Sequence, residues 1–162
     1  MNLKSIFLAV VSTLLIASCA TDPCIDVTCF NDGVCDDGAC ICADWYEGAD
    51  CLTEERVKYY GDYIGTATFV NAAGDVSSLT DTIPVVANDS IVNELFIANG
   101  VPTVLDVSGM GGFTIPLTAV SDPDGTTLNI SGDGSFDGNL LTVIATMEFT
   151  NSTVEYSFTG SR

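Results

Sequence analysis

The side chains with chemistry to offer are seven cysteines and a set of carboxylates. Cys19, Cys24, Cys29, Cys35, Cys40, Cys42 and Cys51 fall within 33 residues, and the 111 residues that follow contain no cysteine. Thiols in such a cluster bind soft metals, form disulfides or carry a covalent modification. Among the carboxylates, Asp122, Asp124, Asp133 and Asp137 sit in neighbouring turn-like stretches. A carboxylate catalyst or a calcium loop would have to be built from these four. Asp-Gly pairs are also ordinary turn chemistry, and that reading is preferred. The chain has no histidine. Imidazole bases, Ser-His-Asp and Cys-His nucleophiles and His-containing zinc sites are therefore excluded. No catalytic set is assigned, no cofactor is expected, and the chain is read as non-enzymatic.

The charge narrows the partners. The formal net charge is −18, and loss of an N-terminal leader would remove Lys4, leaving three basic side chains against 22 acidic ones. Phosphate backbones and anionic head groups repel such a chain, so nucleic acid is set aside as a partner. Hydrophobic residues make up 47% of the sequence, enough to build a core.

Residues 1–18 form the leader. Lys4 precedes an apolar run from Ile6 to Ile16, too short for a spanning helix, and small residues Ala17 and Ser18 lead to Cys19. Ile16-Ala17-Ser18-Cys19 resembles the bacterial lipobox. That resemblance implies cleavage before Cys19, lipidation of Cys19, and residues 19–23 as a lipidated tether. Several acyl chains hold far more firmly than the single chain that binds reversibly. Using Cys19 for lipid also leaves six cysteines, an even number suited to three bridges. Ala20 follows the cysteine, where an aspartate would imply retention at the inner membrane. The outer membrane is the implied address, at the cell surface or the periplasmic face.

The six remaining cysteines have four, five, four, one and eight residues between successive members. Spacing alone does not choose among the possible pairings. Asn31-Asp32-Gly33-Val34-Cys35 and the run from Cys40 to Cys51 through Trp45, Tyr46 and Gly48 resemble an epidermal growth factor (EGF)-like domain over residues 24–51. That resemblance implies the bridges Cys24–Cys35, Cys29–Cys40 and Cys42–Cys51. Twenty-eight residues cannot bury a sufficient core, and bridges of roughly 2–4 kcal/mol each compensate. Gly33 and Gly38 are placed at turns needing positive φ. Trp45 departs from the family pattern, standing where glycine is usual. The acidic entry motif and the aromatic that accompany calcium in such modules are missing, so neither calcium nor zinc is expected.

Residues 52–61 form a junction with a possible short helix, Thr53 as its N-cap and Arg56 and Lys58 at its end. From residue 62 to 162 about eight strand-like runs alternate with turn signals, among them Asn99-Gly100. Leu128–Ile130 reads as a short strand, followed by turns at Gly132-Asp133-Gly134 and Asp137-Gly138-Asn139. The last two runs are the clearest: Leu141, Val143, Ala145, Met147 and Phe149 share one face, as do Val154, Tyr156 and Phe158. Short connections favour an antiparallel meander. Closure removes exposed edges, so an up-and-down, lipocalin-like β-barrel is expected over a β-sandwich. The whole arrangement resembles a type of Bacteroidota outer-membrane lipoprotein with an EGF-like module before a β-domain, a resemblance that carries no settled activity.

The expected function is a lipid-anchored envelope protein in which an EGF-like spacer presents the barrel for binding or adhesion, with a glycan or protein as partner. The other reading is a carrier of a small apolar ligand. Gly65 and Ala67 would then leave room inside the barrel, whereas Phe69, Phe113, Phe149 and Phe158 would fill it. Asp81-Thr82-Ile83 and Asp89-Ser90-Ile91 are similar to a Bacteroidota O-glycosylation motif, at a frequency that chance among 16 aspartates also supplies.

Overall fold

The computed structural model describes residues 22–98, 100–121 and 125–162. The leader, Cys19, Asn99, Asp122 and Asp124 lie outside the described residues. The chain divides into two compact units after Leu52, so residues 53–60 belong with the barrel.

The first unit is held by covalent bonds. Cys24 is joined to Cys35, Cys29 to Cys40 and Cys42 to Cys51. β1 (Val34–Asp36) and β2 (Ala39–Ile41) form a hairpin in which Cys35 faces Cys40. Its two-residue turn is Asp37-Gly38, with φ of 47° and 85°. Positive φ at both central positions is what a primed turn demands, and glycine meets that demand without strain. Gly33 plays a different part from the one expected. The positive φ angles of the preceding turn fall on Asn31 (50°) and Asp32 (61°). Gly33 instead packs so tightly that an added Cβ would lie 2.9 Å from the Cys51 sulfur. Trp45 has a φ of 74°, so the place where glycine is usual does take the left-handed backbone, here on a bulky residue. β3 (Tyr46–Glu47) follows. Cys51 is the one fully buried hydrophobic residue among this unit's described residues, consistent with bridges standing in for a core.

The second unit begins with β4 (Thr53–Glu54) and a 3₁₀ helix, Glu55–Tyr59. Thr53 therefore lies in a strand, and the helix has no side-chain N-cap. Eight barrel strands follow: β5 (Gly61–Asn71), β6 (Val76–Ala87), β7 (Glu94–Ile97), β8 (Val101–Leu105), β9 (Gly112–Ser121), β10 (Thr127–Asp137), β11 (Leu140–Phe149) and β12 (Ser152–Ser161). Each pairs antiparallel with the next, and β12 closes on β5 from Val154↔Asn71 to Ser161↔Ile64. The fold is thus a closed up-and-down barrel, not a sandwich.

β10 runs unbroken through Gly132-Asp133-Gly134, where the sequence suggests a turn. The glycines serve close approach. A Cβ on Gly132 would lie 2.2 Å from the Ile144 carbonyl oxygen, and one on Gly134 would lie 2.1 Å from the Phe113 ring. An aromatic ring laid over a strand glycine fills the space that its missing side chain leaves.

Candidate functional site: a half-hollow barrel

The two ends of the barrel differ. At the end where β5 begins, the interior is solid. Tyr59 of the 3₁₀ helix stacks on Phe136, which also meets Tyr63 and Phe113 with ring centroids 5.8 and 5.1 Å apart. The buried Tyr63 hydroxyl donates to the Tyr59 carbonyl at 3.1 Å. Leu95, Leu105, Leu141 and Phe158 complete this packing.

Basic residues fasten the plug. Arg56 is buried, and its Nη1 donates to the carbonyls of Asn88, Ile91 (2.7 Å) and Glu94 (3.0 Å), while Nε donates to Glu54 at 2.8 Å. Glu55 accepts from the Ser108 hydroxyl at 2.6 Å and the Gly109 N–H at 2.9 Å. The 3₁₀ helix is thereby tied to the β6–β7 and β8–β9 loops. The Arg162 guanidinium donates to the carbonyls of Lys58 and Tyr60 and lies over the Tyr63 ring. Arg56, Lys58 and Arg162 are the basic residues of the described chain, and all three belong to this end.

Toward the other end the interior is hollow. A cavity of about 560 Å³, open to solvent, is lined by residues of all eight barrel strands. The lining is chiefly apolar: Ile83, Ile97, Val101, Ile115, Ile130, Val143 and Met147 among others. Its volume is within the range of small-molecule sites, roughly 300–1,000 Å³. Three polar side chains touch it among the described residues: Asp81, Ser121 and Tyr156. Tyr156 is buried, and desolvation pushes its hydroxyl up to about 12, with the nearby Asp81 charge adding to the effect. Asp81 accepts the N–H of Thr82 at 2.7 Å.

A missing stretch of wall opens the cavity. β7 and β8 span four and five residues, against ten or more for the other six barrel strands. β7 pairs with β6 only over residues 85–87 of the latter, and β8 meets β9 only through Val104↔Thr114 and Leu105↔Phe113. Residues 76–84 of β6 and 115–121 of β9 are therefore paired on one side only, among the described residues. Leu79 shows the consequence, since it alternates with buried Ile83 on the inner face yet is 51% exposed. Proline marks both borders. Pro84 stands where pairing to β7 stops, and Pro116 lies in a bulge that sets Pro116 and Leu117 against Ser131 alone. Lacking N–H groups, both blunt edges that would otherwise invite another strand.

The residues named from sequence divide accordingly. Phe113 and Phe158 fill the solid half, Phe69 lines the cavity, and Phe149 lines a smaller depression shared with Phe69 and Met147. Gly65 does not supply the room. It faces Gly160 across the β5–β12 pairing, and its Cβ would lie 2.1 Å from the Thr159 carbonyl oxygen. Ala67 is buried opposite Phe158. The space comes from short strands rather than small side chains.

The two described members of the acidic set, Asp133 and Asp137, do not come together in a site. Asp133 is exposed in the middle of β10 rather than in a turn, and Asp137 is exposed at its end. Four residue steps along the strand separate these two by about 13 Å. Asp122 and Asp124 lie outside the described residues. No group of three or more potential metal ligands occurs among the described residues. Thr82 and Ser90, of the two glycosylation-like triplets, are both exposed. No family model, curated protein or solved structure matches this chain.

Proposed function

We propose that this is a lipid-anchored cell-envelope binding protein whose barrel takes up one small apolar ligand without catalysing a reaction. The observation that carries the reading is the solvent-open, apolar cavity in one half of a barrel whose other half is packed solid. Eight-stranded barrels are wide enough to hold one small ligand when side chains do not fill them. The missing wall offers an entry path without unfolding. Ligand uptake is favoured here over adhesion because the concave surface is chiefly apolar and internal.

The anchor rests on Cys19 and the lipobox-like run before it. Its support is that the other six cysteines are all committed to bridges, leaving Cys19 as the odd thiol. The EGF-like module serves as a compact spacer between lipid and barrel, on the outer membrane of a Bacteroidota-type cell.

Two experiments test this. Titration of the mature protein with a neutral naphthyl dye should give saturable fluorescence enhancement at a stoichiometry of one, and no enhancement would overturn the carrier reading. Labelled palmitate fed to expressing cells should be incorporated by the wild type and not by Cys19→Ser. Equal labelling of the two would overturn the anchor.

A further inference from the structure

We propose that the ligand is an apolar molecule bearing a cationic, amine-type head, and that Asp81 is its counter-ion. The inference rests on the cavity being the binding site.

Three observations carry it. Asp81 falls on the inner face of β6, in alternation with buried Ile83 and Val85, and it contributes to a cavity wall that is otherwise chiefly apolar. A carboxylate in such a wall is costly to desolvate unless it meets a positive charge. The described residues supply none there, because Arg56, Lys58 and Arg162 all belong to the plugged end. A fatty acid or other anionic amphiphile would find no cation in the cavity and would meet Asp81 as a like charge. A neutral ligand would leave the carboxylate unpaired as it displaced water. An amine satisfies it. The second polar group, the Tyr156 hydroxyl, keeps its proton at neutral pH and can both donate and accept. It adds a hydrogen-bonding group to the same cavity without adding charge.

The test compares three probes with the same alkyl chain, decylamine, decanol and decanoate, by calorimetric titration into the mature protein below their micelle thresholds. Since the whole chain is strongly acidic, a general preference for cations must be separated from a local one. Asp133→Asn removes the same charge from the exposed outer face of β10 and serves as the control. Asp81→Asn retains an acceptor for the Thr82 N–H, so the strand should keep its structure.

The wild type and Asp133→Asn should bind decylamine at least about tenfold more tightly than decanol, the equivalent of 1.4 kcal/mol, with decanoate weakest. Asp81→Asn should lose that advantage while binding decanol as the wild type does. Equal binding of amine and alcohol by the wild type would overturn the assignment of the head group, as would an amine preference surviving in Asp81→Asn. In either case decanol binding would leave the cavity reading standing. Failure of all three probes to bind would overturn the cavity reading itself.

Discussion

The ring of Tyr59 stacks on that of Phe136 with centroids 4.5 Å apart and planes 20° from parallel. One residue comes from the 3₁₀ helix that precedes the barrel and the other from near the end of β10, so the contact seals one mouth of the barrel. Tyr59→Ala should cost about 3 kcal/mol, within the usual range for deleting a buried aromatic ring. Urea unfolding followed by far-ultraviolet circular dichroism should show a lower midpoint with an unchanged slope. A loss under about 1 kcal/mol would mean that the helix is not part of the cooperative unit.

Arg56 is expected to matter as much. Removing it leaves the carbonyls of Asn88, Ile91 and Glu94 without their guanidinium and Glu54 without its ion pair. Arg56→Met should therefore cost about 3 kcal/mol or more. Lysine keeps the charge but not the planar fork that reaches Glu54 and the carbonyls together. Arg56→Lys should recover less than half of the loss in the same unfolding measurement. Full recovery would reduce the contact to simple charge.

These two residues show where sequence reasoning succeeds and where it stops. Alternation in β11 and β12 is legible because one face is buried and the other wet, and the meander follows from short connections. Arg56 reads as a charge near a helix end because its real partners are backbone carbonyls 32 to 38 positions away, which leave no trace in side-chain types. Gly132 and Gly134 read as a turn because glycine marks both turns and close approaches. Only the neighbouring strands tell the two apart, through the Ile144 carbonyl at Gly132 and the Phe113 ring at Gly134. The hollow half is the least legible part, since it depends on how short β7 and β8 are rather than on residue size. Pro84 and Pro116 were the available signal.

The close approach at Gly134 can be tested directly. Gly134→Ala would place a methyl group against the Phe113 ring and 2.6 Å from the Thr142 carbonyl oxygen. A cost of about 2–3 kcal/mol is expected, as for overpacking elsewhere. Phe113→Leu in the same chain should give back part of it, because one of the two obstacles is then gone. Additive losses in a double-mutant cycle would show that the ring and the glycine are independent.

Filling the cavity should separate stability from binding. Val143 is 2% exposed and lines the cavity. Val143→Phe adds apolar volume where space is already present, so little stability should be lost, within about 1 kcal/mol. Uptake of a neutral naphthyl dye should fall at least tenfold, read from the same fluorescence titration. Unchanged dye binding would place the ligand elsewhere.

Alkaline pH should weaken the barrel through Tyr156. Burial, with a smaller contribution from Asp81, raises this hydroxyl from the ordinary 10.0 to about 12 in the folded chain. The folded state therefore holds the proton more tightly than the unfolded state. Below about pH 10 both states are protonated, and the stabilisation linked to this group is fully present. Between about pH 10 and 12 the unfolded chain ionises first, and that stabilisation is progressively lost. Tyr63 and Tyr60 act in the same direction, each raised chiefly by burial and opposed by Arg162 and Arg56 respectively. Urea midpoints taken at intervals from about pH 9 to pH 11.5 should be flat at first and then decline. In Tyr156→Phe the decline should be shallower, and an identical slope in the two proteins would remove Tyr156 as a source of the effect.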